Sequence, residues 1–147
     1  PIGALLAKGD FKRFTDVEEH TTFGANPVMM AAALASIEVV LRKDLAGRAK
    51  RLGEQVTARL KELQDRYEII GDVRGPGLFI GAEVVNPDGS PAPAAAECIQ
   101  NSMRERRVLI GRTGPCGNVL KFRPPLVFTE EHCDLLLGTL DDILRRI

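Results

Sequence analysis

The fold is decided by residues 68–85, EIIGDVRGPGLFIGAEVV, in which two apolar runs flank a Gly-Pro-Gly sequence. The runs at 68–73 and 78–85 are rich in Ile and Val and predict two strands. Gly75 and Gly77 provide the backbone freedom that a tight connection between them needs. A dinucleotide-binding loop is excluded, because no G-x-G-x-x-G lies between a strand and a helix.

The elements that follow this strand pair complete an α+β pattern. Residues 93–106 predict a helix, and residues 108–110 predict a third strand. A glycine-rich loop at 111–117 leads to a strand at 118–122, and Thr129 caps a closing helix. This order predicts an α+β sandwich, with a mostly antiparallel sheet and helices on one face.

Two helices are predicted ahead of these strands. Asn26 and Pro27 begin the first, because Asn accepts from first-turn amides and Pro occupies a position whose missing N–H costs nothing. The run at 28–41 is apolar on nearly all sides, so this helix is expected to be buried. Asp44 is then predicted to cap an amphipathic helix whose apolar residues recur every three or four positions as far as Leu63.

The loop before the first helix, HTTFGANP at residues 20–27, is suited to holding an anion. The hydroxyls of Thr21 and Thr22 and the backbone at Gly24 precede the positive end of a helix dipole. A phosphate or a carboxylate is the expected ligand. From the residues alone, an ordinary capped helix start that binds nothing is the other interpretation.

Composition narrows the class of protein. The chain has 147 residues, 44% of them hydrophobic, which is typical of a globular domain with a real core. Twenty basic residues balance twenty acidic ones, so the charge does not favour nucleic acid, and the apolar run is shorter than a membrane span. We expect a cytoplasmic protein. Cys98, Cys116 and Cys133 lack metal-ligand spacing, which predicts reduced thiols and no metal site.

Four segments stand in a fixed order along the chain: PIGA (1–4), TFGANP (22–27), VRGPGLFIG (73–81) and FRPPL (122–126). They resemble the motifs P-[IL]-G-A, T-F-G-G-N-P, V-R-G-x-G-L-x-x-G and [RK]-F-x-P-P-L of class III pyridoxal-phosphate-dependent aminotransferases. That family belongs to fold type I. The resemblance runs from the first residue to near the last.

The resemblance implies a division of the chain into parts of a larger enzyme. Residues 1–43 would be a remnant of the large domain that binds pyridoxal 5'-phosphate (PLP). Residues 44–147 would be the linking helix and the C-terminal small domain of a fold-type I enzyme. The family's Schiff-base lysine is expected upstream of Pro1, so the chain alone would be inactive. A homodimer is the expected assembly.

The resemblance also implies the site residues. Thr22 would contact the cofactor phosphate from across a dimer interface, and Lys121 would face the active site and bind a substrate anion. Lys121 and Arg123 alternate with Phe122, so strand geometry directs both cations to one side, where we expect them to bind a substrate anion together. Two solvated surface cations are the alternative interpretation.

Three functions remain open. Transfer of an amino group between an amine or amino acid and a keto acid is the family majority. Because Lys121 stands where many relatives carry Arg, and residues 118–125 resemble the alanine–glyoxylate aminotransferase 2-like and phospho-lyase branch, elimination of phosphate from a phosphorylated amine is the first alternative. The second is a stand-alone α+β interaction module whose glycine loops are only turns.

Overall fold

The computed structural model describes Gly3, residues 22–24 and residues 26–147, which fall into two compact units, Pro1–Asp44 and Leu45–Ile147. The first unit contains α1 (Pro27–Arg42). Asn26 Oδ1 accepts hydrogen bonds from the amides of Val28, at 3.0 Å, and Met29, at 3.4 Å, which confirms the predicted helix start. No residue of α1 is buried, so the expected burial of this helix is not found. The PIGA segment, apart from Gly3, and Thr21 lie outside the described residues.

The second unit is a four-stranded antiparallel sheet with three helices. Its elements in chain order are α2 (Leu45–Arg66), β1 (Ile70–Arg74), β2 (Ile80–Val84), α3 (Pro93–Glu105), β3 (Gly111–Thr113), β4 (Val119–Phe122) and α4 (Glu130–Leu144). The strands lie in the order β1-β2-β4-β3, and every neighbouring pair is antiparallel. The predicted α+β architecture is confirmed. The second helix begins at Leu45, and Asp44 before it has a left-handed φ of 44°.

The core lies between one face of the sheet and the helices. Alternate strand residues point into it, because successive side chains of a strand face opposite sides. The strands contribute Ile80, Ala82, Val84, Leu120 and Phe122, and the helices contribute Val56, Leu60, Ile99, Met103 and Leu140. Helices α2 and α3 pack on the sheet, and α4 packs against both helices. The opposite sheet face, here called the outer face, carries Gly81, Glu83, Gly111, Val119 and Lys121.

The connection between β1 and β2 uses its glycines as predicted. Gly75 and Gly77 have φ values of 136° and 51°, which side-chain-bearing residues rarely adopt. A Cβ on Gly75 would lie 2.0 Å from the carbonyl oxygen of Phe79. On the other side, a Cβ on Gly53 of α2 would lie 2.0 Å from the carbonyl oxygen of Gly77. The connection therefore packs closely against α2.

The prediction of a strand at residues 108–110 is wrong, because the third strand lies at Gly111–Thr113. The end of α3 explains the difference. Arg107 has a left-handed φ of 64°, and the amide of Val108 donates to the carbonyl of Met103 at 2.9 Å, as in a Schellman motif. The carbonyl of Ile110 accepts instead from Gln100 Nε2 at 3.1 Å. The amide of Val108 and the carbonyl of Ile110 are thus hydrogen-bonded to α3 and not to a neighbouring strand. The third strand is formed instead by the first three residues of the predicted loop at 111–117.

Candidate functional site

Lys121 lies in the middle of the outer face of the sheet. It is directly opposite Gly81 of β2 on one side and Gly111 of β3 on the other. Its chain neighbours Leu120 and Phe122 are buried in the core, whereas Lys121 is half-buried. Strand alternation therefore places the ammonium on the face away from the helices. With glycine on both sides, no side chain of a directly paired residue covers it.

The other charges of the outer face are paired with each other. Arg74 contacts the carboxylate of Asp72, and its Nη1 lies 3.3 Å from Oε2 of Glu83. The amide of Asn118 donates to Oε1 of Glu83 at 3.2 Å. By contrast, no acidic side chain of the described residues forms an ion pair with Lys121. This ammonium is the outer-face charge that remains available to an anion.

Arg123 has different surroundings, although it lies only two residues further along the chain. It is exposed, just beyond the end of β4, and lines a groove of about 280 Å³ with Pro124, Phe128 and His132. Lys121 is not among the residues that line this groove. A joint anion site of Lys121 and Arg123 therefore stays a prediction.

Thr22 belongs to the first unit, in a turn over residues 22–24 ahead of α1, and its side chain is exposed. The first-turn amides of α1 are already used, since Asn26 accepts from Val28 and Met29 and its carbonyl accepts from Met30 at 2.9 Å. An anion at this end of the helix would therefore depend on the Thr22 hydroxyl and the turn rather than on helix amides. The dipole of α1 still favours negative charge there.

Sequence reasoning missed the supporting residues of the outer face. Asn118 is 2% exposed, and its Nδ2 also donates to the carbonyl of Val84 at 3.0 Å. A polar residue directly before an apolar strand was the available signal. The two glycines beside Lys121 could not be assigned to it, because the register of β2 and β3 on β4 is a tertiary property.

Metal sites, reactive thiols and membrane-spanning helices find no support in the described part of the chain. No group of three or more His, Cys, Asp and Glu residues there could hold a metal ion. All three cysteines are free, and burial raises the pKa of the Cys133 thiol, which lowers its reactivity. Among the described helices, none combines the length and apolar character that crossing a membrane requires.

Comparison with known proteins identifies similar chains. "Alanine--glyoxylate aminotransferase 2 homolog 2, mitochondrial" of Arabidopsis thaliana is 38% identical over 96% of this chain and 30% of its own length. A phospholyase from Arthrobacter, solved in complex with phosphoethanolamine, is 41% identical with a TM-score of 0.87, over 92% of this chain and 33% of its own. A PLP-bound amine transaminase from an uncultivated Pseudomonas species is 32% identical with a TM-score of 0.76, over 88% and 30%.

The chain thus spans about a third of the length of these relatives. The family description "Aminotransferase class-III" matches residues 1–144, which is nearly the whole chain. The α+β unit with its antiparallel sheet agrees with the similarity to the solved structures. The chain therefore belongs to the class III aminotransferase family.

Proposed function

We propose that this chain is part of a PLP-dependent aminotransferase that transfers an amino group between an amine or amino acid and a keto acid. Membership of the class III family supports the reaction class. The observation that carries the site is the ammonium of half-buried Lys121, which has no ion pair among the described residues. A cation held in this way is suited to binding the anionic group of a substrate.

PLP is the cofactor that the family implies, and the residues present fit it. When bound, it supplies an electron sink for negative charge on the carbon that carries the amino group. The exposed hydroxyl of Thr22 would donate to its phosphate, next to the positive end of α1. We infer that the lysine that holds the cofactor lies in the part of the enzyme outside this chain and that the chain alone is inactive.

Lys121 and Arg123 would bind and orient the substrate's anionic end. A charge-assisted contact out of water contributes about 1.5–3 kcal/mol, compared with about 0–1 kcal/mol for an exposed ion pair. Half-buried Lys121 is therefore expected to contribute more than exposed Arg123. Because Lys acts as a point charge, the contact does not require the two-pronged geometry that Arg would impose on a carboxylate.

A second candidate function is elimination of phosphate from a phosphorylated amine. It is favoured by the similarity to the Arthrobacter phospholyase, at 41% identity, which was solved with phosphoethanolamine. A doubly charged phosphate would also gain more from Lys121 and Arg123 than a single carboxylate would. The two functions share the cofactor and differ in product, since transamination yields a keto acid and elimination releases inorganic phosphate.

The test uses the full-length enzyme with PLP and compares Lys121→Ala with the wild type. Keto-acid formation and phosphate release are assayed in parallel, with amino acids and phosphorylated amines as substrates. We expect a loss of roughly tenfold or more in kcat/KM, because each 1.4 kcal/mol is a factor of ten. Lys50→Ala, which removes an exposed ammonium from α2, is the matched control.

The outcomes separate the candidates. A larger loss for phosphorylated amines, together with phosphate release, would favour the phospho-lyase, and keto acid without phosphate would favour the transaminase. Equal kinetic constants for Lys121→Ala and wild type with every substrate would return Lys121 to the surface-cation interpretation. If the full-length protein neither binds PLP nor turns over any amine, the interaction-module interpretation takes its place.

We further propose a homodimer with small-molecule substrates. The exposed apolar residues of α1 need cover, which a second copy or the rest of the full-length chain would supply. Sedimentation of the full-length enzyme tests this assembly, and a monomer at micromolar concentration would contradict it. For the compartment we propose the cytoplasm, although the Arabidopsis relative is named mitochondrial. Imaging of the tagged full-length protein decides between the two compartments.

A further inference from the structure

The side chain of Lys121 does not stand straight out from the sheet but leans over one of its two neighbouring strands. A Cβ built on Gly111 of β3 would lie 2.9 Å from Cε of Lys121 and 3.7 Å from its Nζ. Real Cβ atoms essentially never approach another heavy atom that closely. The space that a side chain at position 111 would need is thus filled by the end of the lysine.

The glycine on the other side of Lys121 is not used in this way. A Cβ built on Gly81 of β2 would meet Cγ1 of Val119 at 3.0 Å and the carbonyl oxygen of Arg74 at 3.9 Å. No atom of Lys121 lies within 4 Å of that position. Both glycines are directly opposite Lys121 in the sheet, yet the lysine leans only towards β3.

The geometry points to Gly111 as a positioning residue that sets the direction of the Lys121 ammonium. The missing side chain at 111 lets the lysine lie against β3, so the ammonium is placed above that strand. Any larger residue at 111 would lift the ammonium away from this strand and change where it meets an anion. This inference rests on the proposed function, in which Lys121 binds the substrate's anionic group.

Gly111→Ala tests this inference without threatening the fold. Neither Gly111 nor Gly81 has a left-handed φ, so alanine fits the backbone at both positions. Alanine also has less conformational freedom to lose on folding than glycine has. At position 111 the new methyl group meets only the end of a flexible side chain, which can move aside. Gly81→Ala is the matched control, because it adds the same methyl group opposite Lys121 from the other side.

The first measurement follows the lysine itself and needs no activity. Lysines of the full-length enzyme are converted to ¹³C-dimethyl-lysine, and the Lys121 signal is assigned as the one missing from Lys121→Ala. We expect the chemical shift of this signal to change in Gly111→Ala and to stay near the wild-type value in Gly81→Ala. Thermal unfolding of all variants checks that the fold is retained.

The second measurement uses the full-length enzyme with PLP and its preferred amine. We expect Gly111→Ala to raise KM several-fold with kcat nearly unchanged, whereas Gly81→Ala keeps both constants. If Gly111 mattered only for packing, Gly111→Ala would instead lower the unfolding temperature and would not raise KM while leaving kcat unchanged.

Each outcome decides something different. An unchanged Lys121 signal in Gly111→Ala would overturn the inference. A moved signal with no effect of Gly111→Ala on KM, in an enzyme whose KM does respond to Lys121→Ala, would overturn it as well. A moved signal in an enzyme indifferent to Lys121→Ala would keep Gly111 as the residue that positions the lysine and would refute the substrate role of Lys121.

Discussion

Replacing Tyr67, the residue that follows α2, by Phe should weaken the contact between this end of α2 and α4. The hydroxyl of Tyr67 donates to Oδ1 of Asp141 at 2.7 Å, and the carboxylate also pairs with Arg145 at 2.7 Å and Arg66 at 3.3 Å. Because both arginines stay in Tyr67→Phe, the carboxylate is not left without partners. The loss should be about 1–2 kcal/mol, towards the lower end of the range for a hydrogen bond to a charged group. Urea unfolding at pH 7, with an unchanged m-value, measures this free energy.

The same hydrogen bond between Tyr67 and Asp141 predicts how the free energy of unfolding depends on pH. The hydrogen bond from Tyr67 is the main cause that holds the pKa of Asp141 below its usual value, and Arg145 contributes further. A carboxylate whose folded pKa is depressed stabilises the fold above its unfolded pKa of about 3.9, and this contribution is lost as the pH falls through the folded pKa. The advantage of wild type over Tyr67→Phe should be complete at neutral pH and shrink below about pH 4.

A matched control for the contact between Tyr67 and Asp141 is Asp142→Asn, which removes a carboxylate from the next, exposed position of α4. It should change the free energy of unfolding by less than about 0.5 kcal/mol, as surface substitutions usually do. Equal stability of Tyr67→Phe and wild type at pH 7 would refute the reasoning. So would a deficit of Tyr67→Phe that grows as the pH falls from 7 towards 3.

Two further substitutions test the packing of α2 and the cofactor contact. Gly53→Ala should destabilise by about 2–3 kcal/mol in urea unfolding, since its Cβ would lie 2.0 Å from a backbone oxygen, whereas Gly138→Ala in α4, with nothing within 4 Å, should stabilise by about 0.5–1 kcal/mol. The same sign for both would contradict this packing. Thr22→Val in the full-length enzyme should weaken PLP binding roughly tenfold by titration, and Ser36→Ala, whose hydroxyl donates to Ala32 within α1, should not. Wild-type affinity in Thr22→Val would end the role proposed for that hydroxyl.

The local parts of the fold could be predicted from the sequence. Asn26-Pro27, the Gly-Pro-Gly connection and the Thr129 cap each depend on residues close together in the chain, and the structure has all three. The third strand could not, because its position depends on Gln100, whose side chain bonds the carbonyl of Ile110 from the preceding helix. Residues 108–110 are apolar enough for a strand, but the left-handed Arg107, the bond from Val108 to Met103 and the contact of Ile110 with Gln100 tie them to α3.

The candidate site shows the same limit. Lys121 could be singled out from its motif, but its unpaired state depends on Arg74 and Asn118, which satisfy the nearby Glu83 from distant parts of the chain. The residues next to Lys121 in the sequence do not reveal that Glu83 is already paired. Nor can it reveal that two glycines far apart in sequence meet beside the same lysine, since strand register brings them there.

The glycines beside Lys121 also explain why this part of the sheet breaks the usual preferences of strands. A glycine in the middle of a strand costs about 0.5–1 kcal/mol relative to alanine, and Lys121 of β4 has Gly81 in β2 directly opposite it on one side and Gly111, at the start of β3, on the other. The core does not require them, because Leu120 and Phe122 fill the opposite face whatever stands on the outer one. Gly81 has a packing reason, since a Cβ there would lie 3.0 Å from Cγ1 of Val119, whereas a Cβ on Gly111 would meet only the side chain of Lys121. A local cost without a packing benefit, as at Gly111, is typical of functional positions. At position 111 the benefit is room for the end of the Lys121 side chain, which carries the charge of the proposed anion site.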